Sequence, residues 1–159
     1  AALSLFRQAL GDLIATRERE GNDLEGFLQQ RIDSIRELVA TLREKMPQIL
    51  IAQRQSLHDK LQDLQVELEP TRLEQEIALL AQKADVDEEL DRLDSHLGEV
   101  ERVLKASGQK GRRLDFLMQE LNREANTLSS KSIVVESTRG AVEMKVLIEQ
   151  MREQIQNIE

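Results

Sequence analysis

The chain of 159 residues carries a formal net charge of −8, contains no cysteine, tryptophan or tyrosine, and has phenylalanine at positions 6, 27 and 116 alone. This composition excludes disulfide staples, thiolate metal sites and thiol nucleophiles, and it argues against bulk electrostatic attraction to nucleic acid or anionic membranes. With so few rings the chain also lacks the stacking platforms of many single-strand binders, so any RNA would be handled through phosphates and shape.

Two prolines and seven glycines among abundant Leu, Glu, Gln, Arg and Ala predict an all-α chain, an elongated helical bundle or set of helical hairpins with coiled-coil-like packing. Length and even composition favour a single all-helical domain over 1–159. No stretch approaches the roughly 20 apolar residues that span a bilayer, and the start lacks a signal-peptide pattern, so a soluble, cytoplasmic protein is expected. The opening Ala1-Ala2, without Met, is what a fragment or processed chain would show. Any metal must use carboxylates, carbonyls or His58 and His96, a donor set that suits Mg²⁺ or Mn²⁺ better than a structural zinc.

In chain order, Leu3, Phe6, Leu10, Leu13 and Ile14 predict a first amphipathic helix to Arg19, with Gly21-Asn22 as break and cap. From Asn22 to Met46 the positions Leu28, Ile32, Ile35, Val39, Leu42 and Met46 alternate steps of four and three, a heptad seam. Pro47 follows, and the pattern resumes at Leu50, Leu57, Leu61, Leu64 and Leu68, so an antiparallel hairpin and one long bent rod are both open. His58 reads as a surface residue. Glu69-Pro70-Thr71 marks a boundary, and Leu73, Ile77, Leu80 and Ala84 form a stripe out of phase with Val86, Leu90, Leu93, Leu97, Val100 and Leu104. A break between Lys83 and Asp87 follows, with Asp85 and Glu88 spaced as a capping box.

Ala84 to His96 holds the densest acidic cluster, with Glu89 and His96 two turns apart on one face. Such a cluster either holds a hard cation and works as acid and base, or simply satisfies the amides and dipole of a helix N-terminus. After the loop Ala106–Lys110, the stretch Gly111–Lys131 combines the stripe Leu114, Met118, Leu121, Ala125, Leu128 with outward Arg, Asp, Glu and Asn residues. Leu128–Ser132 interrupts it. A last helix, from about Val135 to Ile158, is apolar over a wide arc and is a candidate interface.

GRRLDFLMQELNREANTLSSKS with VEMKVLIEQMREQIQNIE, together with ATREREG at 15–21 and LLAQKADVDEELDRLDSH at 79–96, resembles the C-terminal region of the YicC-like (YicC/YloC) bacterial endoribonucleases. The segment 133–140, IVVESTRG, departs from the pattern. The resemblance implies a metal-dependent, Mn²⁺-favouring, RNA-cleaving protein that assembles into hexameric homo-oligomers, of which this chain would be the C-terminal half. It makes His96, Glu120 and Glu124 candidates for acid/base work, and Asp87, Glu88, Glu89 and Asp115 candidates for the metal, the division between ligand and base staying open. Arg112, Arg113, Arg123 and Lys131 become candidates for RNA phosphates, with no DNA or membrane partner expected. The alternative is a non-catalytic helical oligomerisation or RNA-clamp module, with a plain coiled-coil adaptor as a weaker third.

Overall fold

The computed structural model describes residues 2–63, 74, 75, 77–79, 86–132, 135–156 and 158. Among them the fold is all-α. Helix α1 spans Ala2–Asp63, α2 Asp87–Lys105, α3 Gly111–Lys131 and α4 Val135–Ile155, and residues 74, 75 and 77–79 are also helical. Neighbour contacts run α1 to α2, α2 to α3, α3 to α4 and α4 back to α1, a closed four-helix bundle.

The heptad positions of α1 and the stripe of α3 explain the closure. Leu28, Ile32, Ile35, Val39, Leu42 and Met46 are all buried, as are Leu90, Leu93, Leu97 and Val100 of α2, Leu114, Met118, Leu121 and Leu128 of α3, and Met144, Ile148 and Met151 of α4. These apolar stripes leave water together, and each fully buried Leu or Ile contributes on the order of 1.5–3 kcal/mol. Helices α1 and α4 approach closely at Gly140, where a Cβ would lie 3.2 Å from Leu42 Cδ1.

Helix α1 corrects one expectation, at Gly21-Asn22. Gly21-Asn22 does not break it; the helix passes through this pair and through Pro47. A glycine costs about 1 kcal/mol in a helix interior, too little to stop a cooperative helix flanked by Arg17–Glu20 and Asp23–Glu25. Pro47 removes one backbone hydrogen bond and costs about 3 kcal/mol, but it faces solvent, and Ile49 and Leu50 beyond it still pack against the core. Of the two readings at Pro47, the continuous rod is the one observed. At 62 residues and 1.5 Å per residue, it is about 90 Å long, against about 30 Å for each of its partners. Among the described residues, its buried positions run from Leu28 to Met46. Leu3, Phe6, Leu10, Leu13 and Ile14 are exposed, as is His58.

One further expectation shifts. Helix α2 starts after Val86, which makes no side-chain capping hydrogen bond; the capping box expected of Asp85 and Glu88 rests on a residue outside those described. Helix α4 ends at Ile155 rather than Ile158, and its wide apolar arc divides, with Ile148 and Met151 buried and Val142 and Val146 exposed. The boundary at Glu69-Pro70-Thr71, the residues Asp85, Leu64 and Leu68, and most of the 73–84 stripe lie outside the described residues. No described helix is long and apolar enough to cross a membrane.

Polar clamps fix the register of α1 on α2. Arg36 Nη1 donates to Glu101 Oε1 at 2.6 Å and Arg36 Nη2 to Oε2 at 3.1 Å, while Gln29 Nε2 donates to Oε1 at 2.8 Å. The Arg36 bond first, and the Gln29 bond second, hold the Glu101 carboxyl well below its ordinary 4.5, at about 2. A depressed carboxylate pKa means stability that is complete above about pH 4.5, fades as the pH falls, and is gone below about 2. Glu101→Gln is therefore expected to cost about 1–2 kcal/mol at pH 7, a bidentate charge-assisted pair discounted for the partial exposure of Arg36. In urea titrations the gap between variant and wild type should close between pH 4.5 and 2; a gap independent of pH would remove the charge from the explanation.

Candidate active site

The loop 106–110 reverses the chain between α2 and α3. Gly108 takes φ of 94°, a left-handed conformation open to glycine at little cost, and Lys110 Nζ donates to the carbonyl of Leu104 at the C-terminus of α2. The two helices then run antiparallel, and their polar edges meet in one seam. Along it Glu89 faces Lys131, Arg92 faces Glu124, and Glu99 faces Arg113.

Within this seam His96, Glu120 and Glu124 bring one ligating atom each to within 4.8 Å of one another. Glu120 and Glu124 are one turn apart on α3, and His96 approaches them from α2. Glu124 is 3% exposed, and its one hydrogen bond among the described residues, from Arg92 Nη1, is long at 3.4 Å. A buried carboxylate with so weak a partner is costly. Arg92 also holds Glu88 at 2.6 Å; its bond to Glu124 and then the charge of Glu88 raise its affinity for the proton above the ordinary arginine value.

The other expected ligands lie elsewhere. Glu89, 5% exposed, is held by Lys131 Nζ at 2.9 Å, so these two, expected in metal and phosphate roles, face each other. Glu88 is the i,i+4 partner of Arg92. Asp87 is exposed at the α2 N-terminus. Asp115 sits on another side of α3, accepting from Gln119 Nε2 at 2.9 Å, with Arg152 Nε of α4 3.8 Å away. Asp91 and Asp94 turn to Arg43 of α1, at 2.9 and 3.4 Å. The acidic cluster of the sequence is thus spread around the helix: Glu88 meets Arg92, Glu89 meets Lys131, and Asp91 and Asp94 share Arg43.

Among the phosphate candidates, Arg113 is engaged by Glu99, whose carboxyl it and then Arg102 hold below the usual range, while Arg112 and Arg123 are exposed with no ion pair among the described residues. Arg92 was not among the sequence candidates. Its place one turn before His96 on α2 was the available signal.

The residues of this seam carry donors suited to a borderline or hard divalent ion: one imidazole nitrogen and two carboxylates. An ion with ligands at about 2.1 Å sets adjacent ligand atoms about 3 Å apart, within reach of small side-chain rotations from the spacing observed. Comparison with known proteins decides the kinship. The family described as "Endoribonuclease YicC-like, C-terminal" matches residues 42–159. The chain belongs to the YicC-like family. It is similar to the probable endoribonuclease YicC of Haemophilus influenzae, with 55% identity over 99% of this chain and 55% of that protein. It is also similar to the probable endoribonuclease YicC of Clostridioides difficile, with 35% identity over 98% of this chain and 56% of the relative. The chain therefore spans roughly half the length of these YicC-like relatives.

The Glu89–Lys131 pair yields a stability prediction. Lys131→Met leaves a nearly buried carboxylate without its close cation and is expected to cost about 2–3 kcal/mol, below the usual range for fully buried pairs because Lys131 is partly exposed. Glu89→Gln with Lys131→Met together should recover part of that loss in denaturant melts, and a loss in the double variant equal to the sum of the two single losses would show the pair uncoupled.

Proposed function

We propose that this chain is the C-terminal part of a divalent-metal-dependent endoribonuclease and that His96, Glu120 and Glu124 form its metal and proton-transfer site. The observation that carries the reading is the convergence of these three side chains, one of them a buried, weakly bonded carboxylate, in a member of a family described as endoribonuclease. His96 Nδ1 or Nε2 and the carboxylates of Glu120 and Glu124 would hold the ion, with Mn²⁺ favoured for a mixed nitrogen and oxygen set and Mg²⁺ acceptable. When bound, such an ion supplies Lewis acidity towards a phosphoryl oxygen and lowers the pKa of bound water.

The chain's own groups do the rest. Glu120, more accessible than Glu124, takes the proton of the attacking hydroxyl at a carboxylate oxygen, and Arg92 stands beside the site as a cation for the non-bridging phosphate oxygens. Arg112 and Arg123 supply phosphate contacts that a chain of net charge −8 needs locally. The exposed stripe Leu3, Phe6, Leu10, Leu13 on α1 supports homo-oligomer contacts. A non-catalytic clamp remains the competing reading.

The test uses the intact protein with a structured RNA. Glu120→Gln is expected to lower kcat/KM by at least about 100-fold, the scale of a lost general base, and to weaken Mn²⁺ binding measured by electron paramagnetic resonance. Glu136→Gln, an exposed change on α4, should leave both untouched. Undiminished cleavage and Mn²⁺ binding in Glu120→Gln, Glu124→Gln and His96→Ala would favour the clamp.

A further inference from the structure

On the side of α3 turned towards α4 lies a cleft of about 400 Å³, bordered by Gln119, Asn122, Arg123, Asn126 and Thr127 of α3 and by Arg152 of α4. Its chemistry is unlike that of the seam. Among the described residues no carboxylate lines it; two arginines and three carboxamides do. Arg152 is the informative member. Its Nε is shut off from solvent and makes no hydrogen bond; Asp115 Oδ1 lies 3.8 Å from that Nε and Glu149 Oε1 3.7 Å from Nη1, ion-pair contacts too long for hydrogen bonds. The side chain nevertheless keeps 37% of its surface exposed, so part of it is reachable from solvent. Arg123 is exposed and has no ion pair among the described residues.

Asn126 Nδ2 donates to Asn122 Oδ1 at 3.3 Å. That bond orients both amides and leaves the NH₂ of Asn122 and the carbonyl of Asn126 for an external partner. A planar cation pair beside an aligned donor and acceptor matches a phosphodiester and the edge of its unpaired base. Arg123 and Thr127 also lie on the arc of α3 between this cleft and the arc of Glu120 and Glu124, since each residue advances about 100° around the helix. A strand in the cleft therefore passes next to the seam.

We infer that the Arg123–Arg152 cleft is a nucleotide-binding subsite that holds one phosphodiester and one unpaired base of an RNA strand beside the His96–Glu120–Glu124 site. The inference rests on the RNA-cleaving reading above. Its chemistry requires no metal: the two arginines neutralise phosphate, and the amide pair takes the base edge.

The experiment is binding of a short fluorescein-labelled single-stranded RNA to the intact protein in EDTA, across a salt series. Arg152→Gln and Arg123→Gln are each expected to weaken binding about 5- to 10-fold and to shrink the slope of log Kd against log salt by about 0.7, the value of one lost single-strand phosphate contact. Asn126→Ala, which removes no charge, should weaken binding about 3-fold with the slope unchanged. Thermal melts identify any variant that is simply misfolded, and the exposed positions Arg123 and Asn126 carry the test should Arg152→Gln fail to fold. If Arg123→Gln and Arg152→Gln keep the wild-type Kd and slope while the wild type cleaves RNA in Mn²⁺, the subsite is refuted and the RNA reading stands. If the wild type neither binds nor cleaves RNA, both fall.

Discussion

The antiparallel register of α2 on α3 is the constraint on which the rest depends. It is set by the short loop around Gly108 and by the interlocking of Leu90, Leu93 and Leu97 with Leu114, Met118, Leu121 and Leu128 in one core. Moving one helix along the other by a turn would part His96 from Glu120 and Glu124, and would leave Glu89 buried without Lys131. The apolar core thus chooses the polar partners. The charged seam adds discrimination against other registers, because each shift strands a carboxylate in a poorly hydrated place.

The contrast between the two buried carboxylates gives the seam its meaning. Glu89 is answered by a close ammonium group, as a structural ion pair should be. Glu124, equally hidden, receives one long bond from an arginine that Glu88 holds more tightly. Groups kept in an unfavourable environment with unused acceptor capacity are a common mark of a working site. The neighbouring imidazole and Glu120 make the same point, since mutual packing of apolar residues would have been cheaper at that depth.

Much of the fold was legible because apolar spacing is a local signal. The steps of four and three through Leu28 to Met46, and through Leu114 to Leu128, name buried residues correctly wherever the structure describes them. The continuity of α1 was less legible, since Gly21 and Pro47 are read locally as breakers while helix cooperativity and packing on α2 and α4 act over longer range. The acidic stretch Asp87–His96 shows a different limit. Spacing put Glu89 and His96 on one face, and they are on one face, yet the opposing helix supplies Lys131 to the first and two carboxylates to the second. Which acid meets which base is a property of two helices in register, and one helix's sequence does not contain it. The RNA chemistry came from resemblance, which carries information that periodicity lacks. Arg152 is illegible for a similar reason: that its Nε lacks a hydrogen bond is visible only once Asp115 is placed 3.8 Å from it.

The unequal lengths of the helices carry a mechanical consequence. Residues 2–23 of α1 precede the first position packed on the core, Leu24, over about 33 Å of helix. Bound through Leu28 to Met46 on one side and held to α2 by Arg36 and Arg43, the rod has its support in the same core that aligns the seam. A tilt of about 10° at the bundle would carry its far end about 6 Å, given that length. A load on that far end would therefore bear on the core that sets the register of α2 on α3.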